Sequence, residues 1–580
     1  MNKFQGVSAS KGIASGSAFV IKNAVKRTIT KKIITQDEIE NGWIRFEKAR
    51  KKTIDYFTTL LTTSSKEQKN IIESYILMLS DPEFILLVKA SYEKSLVCIE
   101  YILEQKVTEF ANQLKMANDE YLSARADDIL DVYGKVLNIL TNTPETSFEQ
   151  IPPNSILVAD SLNPSDAIFL FKSSIKALIL KEGGTNSHLS ILARTYNIPL
   201  VFGIKNILTY IESGNTVIVD GNEALVFVSP NTQTIETYAK KITTENNRKN
   251  NLRSFILQNA CTKDNISLSF YANIGSIDDA KLSAENGADG IGLFRTEFLF
   301  MSNATTNGLI ISEEKQFETY KKVLEIMKDK PVTIRTLDAG GDKLIEAEGM
   351  PSNNEKNPLL GWRAIRFCLD RTDIFKTQLR ALYRASVFGY LKIMIPLITT
   401  VEQLDFTKEL IREVQEELTL EKIPFNANVP VGIMIETPSA TILADIFAQK
   451  CDFFSIGTND LTQYILCVDR ENQAVSNLFQ ELNPAVLRQI EYTFLTSQKA
   501  KIPLSVCGEM ASRSKTILPL IAMGIKDFSM SPAKLSETKE FISHFSYTTI
   551  TSLKEKIQKC STAAQVEDIV SECINAITNK

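Results

Sequence analysis

Two histidines occur in this 580-residue chain, and one of them, His188, sits in a segment suited to exposing an imidazole. The apolar run Ala177-Leu178-Ile179-Leu180 predicts a strand, and Gly183-Gly184 predicts a turn. The stretch His188-Leu189-Ser190-Ile191-Leu192-Ala193-Arg194 then predicts an amphipathic helix. That order puts His188 near a helix N-terminus, where free backbone N–H groups and the helix dipole favour an anion. An imidazole that takes up a phosphoryl group accounts for this placement better than the alternative, a packing or capping histidine. His544, in Phe541-Ile542-Ser543-His544-Phe545, has no comparable setting.

A second set of reactive residues follows apolar runs in the C-terminal half. Phe294-Arg295-Thr296-Glu297 follows one run, and Arg335-Thr336-Leu337-Asp338-Ala339-Gly340-Gly341-Asp342-Lys343 follows the next. Ile435-Glu436-Thr437-Pro438, Gly457-Thr458-Asn459-Asp460 and Cys507-Gly508-Glu509 follow later ones. Arg295, Arg335 and Arg363 offer planar forks for phosphate or carboxylate, and Lys343 adds a point charge. Glu436 and Asp460 could hold one Mg2+, which takes a few carboxylates plus substrate phosphate oxygens. Mn2+ accepts the same donors. Cys507 on the same face could donate a proton; a buried inert thiol is the other reading. Together these residues suggest a small, anionic, phosphorylated substrate bound through a metal.

The elements that must position these groups are legible in the periodicity. Strand candidates 268–271, 290–293, 332–334, 392–395, 431–434, 453–456, 504–506 and 527–530 alternate with helices, as in a (β/α)8 barrel whose catalytic face lies at the strand C-termini. A doubly wound open sheet is the alternative. Ahead of this, short β runs occupy residues 1–20 and 145–230, and helical spacing fills 21–144. Ile72, Tyr75, Ile76 and Leu79, and Ile129, Val132, Tyr133, Val136 and Leu137, are the apolar stripes, and Asp81-Pro82-Glu83 marks a helix start. The fold class expected is therefore α/β: an N-terminal β/α domain with an inserted helical bundle, a polar helical linker at 231–259, and a C-terminal (β/α)8 TIM-type barrel at 260–580.

Composition is that of a soluble globular chain, 44% hydrophobic and 23% charged. A net charge of -4 gives no basic footprint for nucleic acid. Eight scattered cysteines without a Cys-x-x-Cys pair indicate neither zinc nor a disulfide framework, and they suit a reducing cytosol. The N-terminus carries no apolar signal segment, and no run is long enough to span a bilayer. A cytoplasmic location without membrane insertion is expected.

The chain resembles the enzyme I family of the phosphoenolpyruvate-dependent sugar phosphotransferase system over almost its whole length. The likeness rests on Gly6-Val7-Ser8-Ala9-Ser10, Arg125-Ala126-Asp127-Asp128-Ile129, the His188 segment, Asp289 to Phe298, Asn357 to Arg366, and Phe453 to Tyr464. The resemblance implies that His188 is the phosphorylated histidine on a swivelling domain, and that the helical insert docks the phosphocarrier HPr. It implies a barrel that binds phosphoenolpyruvate and Mg2+ and forms the homodimer. Arg295, Arg335 and Lys343 would hold the phosphoryl group. Glu436 and Asp460 would ligate Mg2+, Asn459 and Arg470 would hold the carboxylate, and Cys507 would protonate the enolate to give pyruvate. The family usually has Thr where this chain has Asn186, often Ala at Ser190, and Gly at Ser512. The related dikinase and synthase enzymes carry a large ATP-binding domain ahead of the histidine, for which too few residues precede His188. A regulatory relay of the nitrogen type would share the same chemistry. A catalytically dead scaffold would need neither nucleophile nor acid.

Overall fold

Short strands near the N-terminus, β1 (Asn2–Gln5), β2 (Val7–Ser10) and β3 (Ile13–Ile21), join five later ones in a single sheet. These are β4 (Ile156–Ala159), β5 (Ala177–Leu180), β6 (Leu200–Phe202), β7 (Thr216–Asp220) and β8 (Leu225–Val228). The order is β1-β8-β7-β3-β4-β5-β6-β2. β3 is the pivot. Its first half pairs antiparallel with β7, and its second half pairs parallel with β4. Gly6 and Gly12 fall between these strands, whereas Gly16 lies inside β3, paired with Val217. β4, β5 and β6 are apolar and buried throughout, as parallel strands covered on both faces must be. The structure, a computed structural model, describes all residues except 22–28, 62–65, 117–119, 144–150, 163–169, 171–174, 185–187, 304–310, 340–355, 471, 473 and 579–580.

Between β3 and β4 run the helices α1 (Ile39–Leu61), α2 (Lys66–Ser80), α3 (Pro82–Ser95), α4 (Ile99–Met116) and α5 (Glu120–Thr141). They share one core that contains Ile72, Tyr75, Leu79, Ile129, Val132, Tyr133, Val136 and Leu137, the predicted stripe residues. Asp81 caps α3 by accepting the N–H groups of Glu83 and Phe84, with Pro82 in the first turn.

The chain divides into two units, Met1–Asn247 and Arg248–Lys580, and the division falls inside the polar helix Thr232–Ser254. Just beyond that helix, the buried Lys539 ammonium donates to the carbonyls of Ile256, Gln258 and Gly287 at 3.3, 3.0 and 2.9 Å.

The second unit is a closed parallel barrel, which excludes the open sheet. Its strands are β9 (Ser269–Ile274), β10 (Ile291–Arg295), β11 (Val332–Arg335), β12 (Leu391–Ile395), β13 (Val431–Ile435), β14 (Phe454–Ile456), β15 (Leu504–Val506) and β16 (Asp527–Met530). β16 pairs with β9 to close the ring. Alternation along each strand sorts the inward side chains into layers. Tyr271, Thr333, Lys392, Ser505 and Asp527 line a cavity of about 60 Å3 at the N-terminal mouth. Leu293, Met394, Met434, Phe453 and Cys507 form a small apolar cluster further in. Arg295 and Arg335 end their strands at the C-terminal mouth, and Glu436 directly follows β13.

Candidate active site

The C-terminal mouth of the barrel is held together by buried opposite charges. Arg335 pairs with Glu297 through a short contact and with Asp338 Oδ2 at 3.0 Å. Burial works against the Arg335 charge, but Glu297, Asp338, Glu436 and Asp460 outweigh it and hold the guanidinium above its ordinary value. Its Nε has no hydrogen-bond partner among the described residues, so one donor remains for an anion. Arg363, 1% exposed, commits its fork to Asp338, with Nη2 at 2.9 and 3.0 Å from the two carboxylate oxygens. The same Nη2 lies 3.3 Å from Asp460 Oδ2, and Nη1 donates to Tyr464 Oη at 3.4 Å. In this state Arg363 braces the acids rather than presenting an open fork. Arg295 is half-buried and has no ion pair among the described residues, which leaves its fork available.

Glu436 is 2% exposed, and its Oε1 accepts the Leu397 N–H at 2.7 Å. Burial, then the nearby charges of Asp460 and Asp338, push its carboxyl up to about 8 against the opposing pull of Arg335 and Arg363. Such a carboxyl is short of positive charge. A Cβ at Gly457 would come within 2.9 Å of Glu436 Oε2, so the glycine keeps the space beside that oxygen open. Asp460 stands in the first turn of the helix Thr458–Leu466, where Arg470 Nη1 approaches its Oδ1 at 3.4 Å. Two carboxylates offering hard oxygen donors, one of them short of positive charge, fit a Mg2+ that completes its shell with water and substrate. Among the described residues no cluster of three or more His, Cys, Asp or Glu side chains has metal-site geometry.

Asn459 precedes Asp460 and accepts the Glu509 N–H at 3.1 Å, tying the β14 loop to the β15 loop. Cys507, just past β15, is 3% exposed, and its thiol donates to Ile456 O at 3.5 Å. Burial pushes the thiol up to about 11, against a smaller opposing pull from the Ser455 side chain and then from Arg335 and Arg295. It is therefore protonated at neutral pH and equipped to give a proton. Asn273 Nδ2 donates to the carbonyls of Cys507 at 3.1 Å and Ser529 at 3.2 Å, fixing the backbone beneath the thiol. Beside the cluster a pocket of about 780 Å3 opens, lined by Leu359, Leu397, Thr437, Gln463, Tyr464 and Cys467.

Thus Arg335, Arg363, Glu436 and Asp460 lie in one electrostatic network, and Arg295 and Cys507 join it at longer range. Lys343 and Asn186 lie outside the described residues, as does the His188 side chain. The helix His188–Thr195 begins at His188 itself. Ser190 donates to the Gly184 carbonyl at 2.6 Å, so this substituted position closes the glycine turn from within the helix. Ser512 donates to Glu509 O at 3.3 Å. His544 is exposed and pairs with Glu540 at 3.0 Å. Glu297, Asp338 and Asn273 were not singled out from the sequence. The first two stand within the charged strand-end segments, a signal that could have found them; Asn273 had none.

Three family profiles match the chain: the N-terminal domain of PEP-utilising enzymes at residues 5–125, their mobile domain at 151–224, and their PEP-binding domain at 249–547. The phosphoenolpyruvate-protein phosphotransferase of Priestia megaterium is 38% identical over 572 residues, covering 98% of each chain. That of Bacillus subtilis is 37% identical over 576 residues, covering 99% of this chain and all of its own. A solution structure of an enzyme I protein is 31% identical, covers 42% of this chain and 99% of its own, and superposes with a TM-score of 0.39.

Proposed function

The chain belongs to the phosphoenolpyruvate-protein phosphotransferase family of enzymes, and from that premise we propose that it phosphorylates His188 from phosphoenolpyruvate. The phosphoryl group then passes to a histidine of the phosphocarrier HPr, the first step of sugar transport by this system. What carries the reading is the convergence at one barrel mouth of a guanidinium with a spare donor, an under-compensated carboxyl at Glu436 beside the Asp460 carboxylate, and a protonated thiol.

Arg295, the spare Nε–H of Arg335, and Lys343 hold the phosphoryl oxygens. Asn459 and Arg470 hold the substrate carboxylate, and Arg363 keeps Asp338 and Asp460 in place. Mg2+ would be held by Glu436 and Asp460, and when bound it supplies positive charge opposite the substrate oxygens. His188 attacks phosphorus in line, and the bond to the enol oxygen breaks with its electron pair. Catalysis is positioning plus charge stabilisation, because little covalent help is needed. Cys507 gives its proton to the terminal carbon of the enolate, which becomes pyruvate. The helices α1 to α5 dock HPr, and His188 swings between barrel and carrier. The barrel forms the homodimer, and the reaction takes place in the cytoplasm. No helix among the described residues is long and apolar enough to cross a membrane.

The test is incubation of the pure protein with phosphoenolpyruvate and Mg2+, followed by intact mass and pyruvate release. The expected result is one acid-labile phosphate, lost in His188→Ala and discharged by HPr. Phosphate that persists in His188→Ala overturns the nucleophile. Phosphate that HPr leaves in place overturns the partner.

A further inference from the structure

On the reading above, Cys507 loses a proton in each forward turnover, and its thiolate must recover one inside a closed barrel. The layer beneath the thiol is mostly apolar: Leu293, Met394, Met434 and Phe453 surround it. Two hydroxyls break that layer. Ser455 is fully buried on β14 and is the register partner of Ser505 on β15. Ser505 Oγ donates to Ser455 Oγ at 3.2 Å, and Cys507, two residues beyond Ser505 and so on the same inward face, is the diagonal neighbour of Ser455 across the β14–β15 pair, where the serine side chain favours the thiolate. Ser505 also lines the cavity of about 60 Å3 at the N-terminal mouth, together with half-buried Tyr271, Lys392 and Asp527. A polar cavity of that size holds about two waters.

We propose that Ser505 and Ser455 form a hydroxyl relay that returns protons to Cys507 from the N-terminal mouth of the barrel. The inference rests on Cys507 being the acid. Ser505 already donates toward Ser455. The thiolate takes the Ser455 proton, Ser455 Oγ takes the Ser505 proton, and Ser505 Oγ takes one from cavity water that exchanges with solvent. Each O–H bond broken is replaced by one formed, the S–H bond is restored, and no group is oxidised or reduced. The neighbouring polar pair cannot serve. Ser529 Oγ donates to Asn273 Oδ1 at 2.6 Å, and the Asn273 amide is spent on the carbonyls of Cys507 and Ser529. A relay also explains why small hydroxyls occupy inward positions that branched apolar residues dominate in such barrels.

The test needs no phosphate acceptor. The full-length protein is given phosphoenolpyruvate, Mg2+ and carbon-labelled pyruvate in D2O. Carbon exchange between the two compounds reports phosphoryl transfer in both directions, because the thiol can hand the same proton out and back. Deuterium entry into pyruvate reports renewal of the thiol proton. The ratio of deuterium entry to carbon exchange should fall at least about tenfold in Ser455→Ala and Ser505→Ala and recover in Ser505→Thr. General damage to the fold would lower both rates and leave the ratio alone, so an unchanged ratio overturns the relay. Should the alanine variants not fold, Ser505→Cys, which keeps a smaller exchangeable donor at similar volume, must show an intermediate ratio; a parental ratio overturns the relay. Cys507→Ala separates the two levels. If deuterium entry survives that change, the thiol is not the acid; if it disappears there while the serine variants match the parent, the relay alone fails.

Discussion

The two mouths of the barrel are built from the same strands and face opposite problems. At the C-terminal mouth Arg335, Arg363, Glu297, Asp338, Glu436 and Asp460 crowd together: both arginines are paired with acids, and Glu436 is left in excess with only the Leu397 N–H on it. At the N-terminal mouth Lys392 and Asp527 share one small cavity without an ion pair between them, and Lys392 lies instead over the Phe453 ring at 4.0 Å. Burial lowers the Lys392 ammonium and raises the Asp527 carboxyl. The difference teaches that charge number alone does not mark a site. A network with surplus carboxylate and a spare guanidinium donor is poised for a ligand, whereas an isolated pair beside a cavity is suited to admitting water and protons.

The largest effect should come from Asp338, which braces both arginines. Asp338→Ala leaves two buried guanidinium groups short of a partner and should cost about 3–5 kcal/mol, read by denaturant unfolding. A loss under 1 kcal/mol would mean that the network is loosely held. Asn273→Ala comes next. It removes three hydrogen bonds, one of them to the Cys507 carbonyl, and should cost about 1–3 kcal/mol while lowering pyruvate formation with little change in the Michaelis constant. A rise in that constant alone would place Asn273 in binding instead.

The thiols offer a pH test. Cys507 is raised to about 11 by burial, while Cys467 is exposed. Alkylation mapped by mass should modify Cys467 first near neutrality and reach Cys507 only as pH climbs toward 11. Because the folded value lies above the ordinary one near 9, the stability contributed by Cys507 is complete below pH 9 and is lost as pH rises through 11. Cys507→Ala should flatten that alkaline decline. The smallest change belongs to the other mouth. Lys392 is lowered by burial, so its charge is a cost at neutral pH, and Lys392→Met should be neutral or stabilising by about 1 kcal/mol in unfolding. A clear destabilisation would show that Lys392 is as well compensated as Arg363.

Much of the architecture was legible from periodicity. All eight barrel strands lie where apolar runs alternate with helices, five of them lead into the reactive segments, and the Asp81 cap lies where Asp-Pro-Glu announces it. Local chemistry sufficed because a strand buried on both faces must be apolar, and a helix start must satisfy its own N–H groups. At the N-terminus a glycine signals freedom, not its use: Gly6 and Gly12 separate strands, while pairing with β7 holds Gly16 extended inside β3.

The sequence by itself determined which residues can carry charge, a proton or a phosphoryl group, and that each follows a strand or opens a helix, since side-chain type and spacing are local properties. Only the tertiary structure decided which of them meet. Closure of the barrel turned Arg363 from an open fork into a brace on Asp338, surrounded Glu436 with acids, and stacked Ser505 and Ser455 beneath Cys507. Those outcomes depend on contacts between strands up to a few hundred residues apart, and on the burial that sets the strength of a charge, neither of which any local pattern encodes.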